Sequence, residues 1–345
     1  WLKPRGALPV AAAPRPPQRQ RDGMVAAQEV MAASVPAAHA VKTLYLVRHG
    51  EAVHNVEEQR AQRLAAAEAE AQGHLEGGGA HKAAMEAARK AALRNERLRD
   101  AELSATGRRQ TLAASEHLRG LSAGPYGLPE PEAVFVSPLQ RTLETAAILF
   151  PEHPRVCVQE ELRERRTGLP CDERKAASYL ARQPSFSNMD FSGLLCLDGE
   201  AEGAEAATGA EAELEDGARL RLRTARLAEA LWSVDCSVLC LVTHKAFLRE
   251  LERGPLGQPE ACQFGNCEVR AYEVALMPDG SLAASLLHSD EKPWQGPPSP
   301  FTSEAADSDF AGAASTSCEL SALEARERSA LAAARLLPCN IFPVC

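Results

Sequence analysis

The run Ser237–Val242 reads SVLCLV, and after its serine every position is apolar or a thiol. A strand in a half-exposed sheet alternates apolar and polar residues, whereas one with no alternation has to be covered on both faces. Lys42–Val47 (KTLYLV) and Ala133–Val136 (AVFV) are short runs of the same kind. Helical spacing fills the chain between them. Ser104 opens a helix running to about Arg119, with Leu112 and Leu118 on its apolar side, and Leu139–Phe150 aligns Leu143, Ala146, Ala147 and Phe150. Ala218–Trp232 is a further helix, and Val156–Val158, Glu268–Met277 and Ser281–Leu287 are further strands. Strands alternating with helices predict a three-layer α/β/α sandwich around a mainly parallel sheet.

Composition changes sharply at both ends of the 345 residues. Up to Ala40 the chain is Ala, Pro, Arg and Gln, with Asp22 and Glu29 its only acids. Residues 1–41 therefore read as an extension with too little apolar surface to order itself, as translated sequence ahead of Met24, or as a transit peptide. Residues 291–345 read as a low-complexity tail, with a short helical pattern from Glu319 to Leu336. What remains, residues 42–290, has the length of one domain. Within it residues 57–99 form an Ala/Glu/Arg/Lys-rich helical insertion, a candidate cap, interrupted by Gly73 and by a Gly77–Gly79 hinge. Gly199–Gly217 is an acidic surface loop.

Several classes are set aside on composition. The net charge of −9 opposes a general nucleic-acid binder. No apolar run reaches the ~18 residues of a membrane-spanning helix. Ten cysteines in this length are too dilute for a cystine framework. The pairs Cys236/Cys240 and Cys262/Cys267 lack zinc-knuckle spacing and read as buried structural thiols. No nucleic acid, membrane, cofactor or metal is expected as a partner. Oligomeric state is left open, and the expected compartment is cytoplasmic, or plastid or mitochondrion if the extension is a transit peptide.

In an open parallel sheet, ligands bind beyond the carboxyl ends of the strands. Three such ends are chemically loaded: Arg48-His49-Gly50-Glu51, Ser137-Pro138-Leu139-Gln140-Arg141 and Thr243-His244. Guanidinium forks grip phosphate oxygens bidentately. A neutral imidazole can attack phosphorus, and a second histidine, if protonated, can stabilise the transferring group.

These residues carry a family pattern. Leu46–Asn55 (LVRHGEAVHN) resembles the signature of the histidine phosphatase, or phosphoglycerate mutase-like, superfamily. Asp100–Gln110, Val136–Thr142 and Leu241–His244 are similar to its later segments, in the same order. Glu161–Glu164 with Cys171–Arg174, and Phe264–Glu268, resemble a phosphatase-type eukaryotic branch. The resemblance implies the phosphoglycerate mutase-like form of the sandwich and metal-independent hydrolysis of phosphate monoesters, with a small phosphorylated molecule as the partner. The implied intermediate is a phosphohistidine on His49. A phosphoglycerate-type mutase is the alternative, and a non-catalytic scaffold for phospho-ligands a third reading. It further implies that Arg48, Arg141 and His244 bind phosphate. Glu164 would be the general acid, with Glu160, Glu161 and Glu51 as nearby candidates. A carboxyl beside bound phosphate stays protonated more readily, since like charge disfavours its ionisation. Asn55 either contacts phosphate or caps the following helix. Lys245 stands where the family commonly has a small residue, and either narrows the pocket or adds a phosphate contact.

Overall fold

The unalternated apolar run becomes the central strand of the sheet, Val238–Thr243 (β5), every residue of which is buried. A computed structural model describes residues 41–124, 126–198 and 214–290. The extension before residue 41, the tail from 291 and most of the acidic loop lie outside the described residues. On one side β5 pairs in parallel with Val41–Arg48 (β1) and on the other with Ala133–Val136 (β2). Val156–Val158 (β3) and Met189–Asp190 (β4) continue the parallel set. Val269–Leu276 (β6) joins β1 antiparallel, and Leu282–Ser289 (β7) closes that edge. The order across the seven-stranded sheet is β4-β3-β2-β5-β1-β6-β7.

The helices are Val53–Ala71 (α1), Gly79–Leu93 (α2), Ala105–Ala123 (α3), Gln140–Leu149 (α4), Ala177–Ala181 (α5), Ser192–Asp198 (α6), Gly217–Trp232 (α7) and Lys245–Arg253 (α8). Strand periodicity divides the core into two layers, because successive side chains point to opposite faces. Tyr45, Val47, Val134, Val136, Cys240 and Val242 pack with Leu118 and Leu121 of α3 and Leu143 of α4. Leu44, Leu46, Phe135, Leu239 and Leu241 pack with Leu220 and Leu227 of α7 and Phe247 and Leu251 of α8. A sheet covered on both faces by helices is the expected three-layer sandwich. Among the described residues no helix is long and apolar enough to cross a membrane.

Two expectations, on Leu112 and on Cys262, are corrected. Leu112 is 58% exposed, because Thr111, Ala114, Ser115 and Leu118 carry the buried stripe of α3 instead. The stretch read as a helical insertion holds most of α1 and all of α2, which form a hairpin that turns at Gly73 and Gly77, both in the left-handed region. Cys262 is exposed, unlike the buried Cys236, Cys240 and Cys267. The short elements α5, β4 and α6 give no periodic signal, since two to seven residues are too few to show one.

At the carboxyl end of the sheet, α3 touches the loop after β1 without clearance. Ser104 caps α3 by accepting the Gly107 N–H at 2.9 Å, and its hydroxyl donates to Glu51 at 2.6 Å. A Cβ on Gly107 would stand 1.9 Å from the Glu51 carbonyl oxygen. Gly107→Ala should therefore cost about 3 kcal/mol, read as a lowered urea midpoint, and should cut activity by displacing the loop. An unchanged midpoint would show that the two segments part freely.

Candidate active site

Parallel register sets the site. Arg48 lies opposite Thr243, and Val136 opposite Val242, so β1, β2 and β5 end at one level. The ladder runs one step further, with the His49 N–H donating to Thr243 O at 3.1 Å and the Ser137 N–H to Val242 O at 3.1 Å. His49, Ser137 and His244 are thereby the first residues beyond three neighbouring strands. The His49 and His244 rings are 5.1 Å apart, and His54, in the first turn of α1, is 6.4 Å from His49.

Two of the three imidazoles, His49 and His54, have a tautomer set by their partners. A carbonyl can only accept, so the 2.7 Å contact of His49 Nδ1 with Gly50 O places the proton on Nδ1 and leaves the Nε2 lone pair free. Asn55 Oδ1 accepts the Ala52 N–H at 3.0 Å, so its Nδ2 donates to His54 Nε2 at 3.1 Å, and the His54 proton sits on Nδ1. Of the two roles open to Asn55, these contacts occupy its amide in capping α1 and orienting His54. His244 Nε2 meets the Ser137 hydroxyl at 2.7 Å, and Ser137 Oγ also accepts the Leu139 N–H at 3.4 Å. Ser137 Oγ, which can accept and donate at once, thus links His244 to the start of α4.

Burial, with the guanidinium groups of Arg141 and Arg48 beside them, lowers the pKa of all three histidines well below the ordinary 6.5. His244 and His49, the latter 3% exposed, are thus neutral imidazoles.

The cations are held from behind. Arg48 donates through Nη1 to Phe264 O at 2.8 Å. Arg141, in the first turn of α4, donates to Cys171 O at 2.6 Å and to Asp172 at 3.3 Å. Behind Phe264, the Arg270 guanidinium stacks 3.9 Å from the ring and pairs with Glu252 and Glu268. Asn266 and Cys267 hold the His49 backbone: the Asn266 amide donates to His49 O at 3.1 Å, and the Cys267 N–H to Arg48 O at 3.1 Å. Cys267 (φ +58°) and Asp100 (φ +46°) are the non-glycine residues in the left-handed region among the described residues. Asp100 accepts the backbone N–H groups of Gln140 and Lys175, tying α4 to the loop that receives Arg141. Arg48 Nε, Arg141 Nε, His54 Nδ1 and His244 Nδ1 are buried, and none has a hydrogen-bond partner.

Glu164 reaches this rim through the segment after β3. Thr243 donates to Leu162 O at 2.6 Å, and Arg223 of α7 donates to the Glu161 and Arg163 carbonyls at 2.6 and 2.7 Å. The Glu164 carboxylate accepts the Ala246 N–H at 3.3 Å, at the start of α8 just past His244. Two of the other candidates, Glu160 and Glu51, are engaged elsewhere. Burial alone would raise Glu160, but Arg163 and Arg174 hold it down to about 2. Glu51 accepts from Ser104, and burial raises Glu161. Lys245 opens α8, half-buried. His54, Ser137 and Asp172 belong to the constellation without having been singled out. The string His54-Asn55 was the available sign for the first, since both follow the Arg-His pair within one helical turn.

This chain matches the model of the histidine phosphatase superfamily (branch 1) over residues 85–275. It is 26% identical over 288 residues to a protein of Arabidopsis thaliana named phosphoglycerate mutase-like protein 1, covering 73% of this chain and 85% of that one. Among solved structures it is similar to a mycobacterial glucosyl-3-phosphoglycerate phosphatase (17% identity, TM-score 0.40, 71% and 96% of the two chains). It is also similar to a phosphoserine phosphatase of Entamoeba histolytica in complex with 3-phosphoglyceric acid (19%, TM-score 0.38, 72% and 97%).

The three lowered histidines link stability to acid. An unfolded chain takes up their protons as pH falls through 6.5, while the folded chain refuses them, so stability is lost on acidification. Between pH 7 and 5.5 the loss should be about 1 kcal/mol per histidine, read by urea unfolding. His54→Asn should remove about one third of it, and an unchanged slope in that variant would show that His54 titrates normally.

Proposed function

This chain belongs to the histidine phosphatase superfamily, and from that premise we propose that it hydrolyses phosphate monoesters through a phosphohistidine on His49. One observation carries the reading: four buried nitrogens without partners lie on Arg48, Arg141, His54 and His244, residues that neighbour an imidazole whose Nε2 lone pair is free. Buried polar groups are nearly always paired. The oxygens of a phosphoryl group would pair these, and the two guanidinium charges would neutralise it.

In the first step His49 Nε2 attacks phosphorus, and the bond from phosphorus to the ester oxygen breaks. The Glu164 carboxyl gives its proton to that oxygen, and the alcohol leaves. The charge that develops on the imidazole is stabilised by the Nδ1–H bond to Gly50 O. His244 and His54 donate through Nδ1 to the transferring oxygens. In the second step the Glu164 carboxylate takes a proton from water, the oxygen of which attacks phosphorus. The bond to Nε2 breaks, releasing phosphate and the neutral histidine. Asp172 is a second carboxyl beside Arg141, and burial raises its pKa despite that cation. It is the first substitute for Glu164 as the acid.

His49→Ala should lower turnover at least ~10³-fold, about 4 kcal/mol of transition-state stabilisation, with the fold retained by circular dichroism. Acid-labile phosphoprotein should form in the unaltered chain and not in the variant. Persistence of either activity or the labile adduct would reject His49 as acceptor. Glu164→Gln should slow alkyl esters far more than aryl phosphates, whose leaving groups need little protonation. Equal slowing of both would move the acid to another carboxylate, Asp172 first. The mutase-like name of the Arabidopsis thaliana relative favours one control. Phosphate release should exceed isomerisation of phosphoglycerate, and the reverse would make the chain a phosphotransferase.

A further inference from the structure

At the sheet edge away from β4, three ligand-type atoms converge without a role in the proposed chemistry. His117 projects from α3, while His288 and Asp290 lie at the end of β7. His117 Nε2 is 2.8 Å from Asp290 Oδ1, His288 Nε2 is 3.0 Å from the same oxygen, and the two imidazole nitrogens are 3.3 Å apart. Ligands at ~2.0–2.2 Å in a tetrahedral zinc site stand about 3.4 Å from one another. The triangle is slightly tighter than that and would open by a few tenths of an ångström around an ion.

The surroundings suit a metal as well as the atoms do. Asp290 Oδ2 accepts the Val269 N–H at 2.9 Å, which fixes the carboxylate to present one oxygen. Such outer-shell bonds orient metal ligands. The Tyr126 ring packs edge-on against His288 at 5.3 Å, holding that imidazole in place. His117 is 43% exposed on its side chain, so a fourth coordination position is open to water or an added ligand. Two neutral imidazoles and one carboxylate form a borderline donor set that suits zinc and the later first-row divalent ions rather than calcium or magnesium.

We propose that His117, His288 and Asp290 bind a divalent transition-metal ion, zinc foremost, which staples α3 to the edge strand where the chain leaves the sheet. The site is structural and separate from the phosphate pocket, so the reading of the pocket does not depend on it. Without metal, the same atoms share protons through Asp290. Metal replaces two weak hydrogen bonds by three coordinate bonds between a helix and a strand that are distant in sequence.

The test is a zinc titration of the full chain after chelator treatment, by calorimetry. One ion per chain should bind, at least ~10-fold more weakly in His117→Ala and in His288→Ala. Zinc should raise the melting temperature of the unaltered chain and not of the variants. Cobalt should give a visible ligand-field band that His117→Ala abolishes. His117→Ala, a substitution on an exposed helix face, should keep its hydrolysis of p-nitrophenyl phosphate, showing that it is folded. Zinc bound equally well by that variant would assign the ion to the pocket histidines or the cysteines and overturn the proposal. Absence of saturable binding to the unaltered chain would overturn it too.

Discussion

Parallel strands that end at one level bring side chains from remote parts of the sequence together without any specific long-range recognition. Arg48 pairs with Thr243 and Val136 with Val242, so the register of three strands alone sets the spacing of His49, Ser137 and His244. A slip of one residue would reverse every side chain on the slipped strand. The two apolar faces of β1, β2 and β5 forbid such a slip, because each alternate residue fits one of two helical layers. The same burial that stabilises the sandwich therefore aligns the rim.

Alignment places cations and imidazoles where water is scarce. The consequence is electrostatic: a histidine next to two arginines in a buried site gives up its proton, and Gly50 O then selects which nitrogen keeps the remaining one. The cations do not collapse onto the histidines, because carbonyls and carboxylates hold them from behind. Phe264 O holds Arg48, with the Arg270–Glu252–Glu268 cluster backing the Phe264 ring, and Cys171 O and Asp172 hold Arg141. Left-handed backbone at Cys267 and Asp100 marks where the supporting loops turn sharply. Such conformations persist only where the surrounding structure enforces them. Here Cys267 N–H bonds the catalytic strand end and Asp100 bridges two loops.

The α1–α2 hairpin adds to the same field. His54 stands in its first turn, while Glu58 and Arg89 form a 2.5 Å ion pair between its helices. Leu93 and Leu98 pack with Cys171, the residue whose carbonyl receives Arg141. The hairpin is thus attached to the floor of the pocket at both ends, which is why its first residues behave as part of the rim and its middle as a solvated pair of helices.

Much of this is legible in the chain itself. Unalternated apolar runs specify strands buried on both faces, helical spacing specifies the layers that cover them, and Arg-His, Ser-Pro and Thr-His directly after such runs mark which residues share the rim. Those signals are local, so sequence order alone preserves them. Tertiary structure decided what depends on neighbours distant in the chain. It set the neutral state of His244, the inclusion of His54 and Asp172, and the engagement of Glu160 and Glu51 elsewhere. It also set the exposure of Leu112 and the meeting of His117 with His288 and Asp290. Protonation and contact are properties of an environment, and α3 and β7 are separated in the sequence by five strands, β2 to β6.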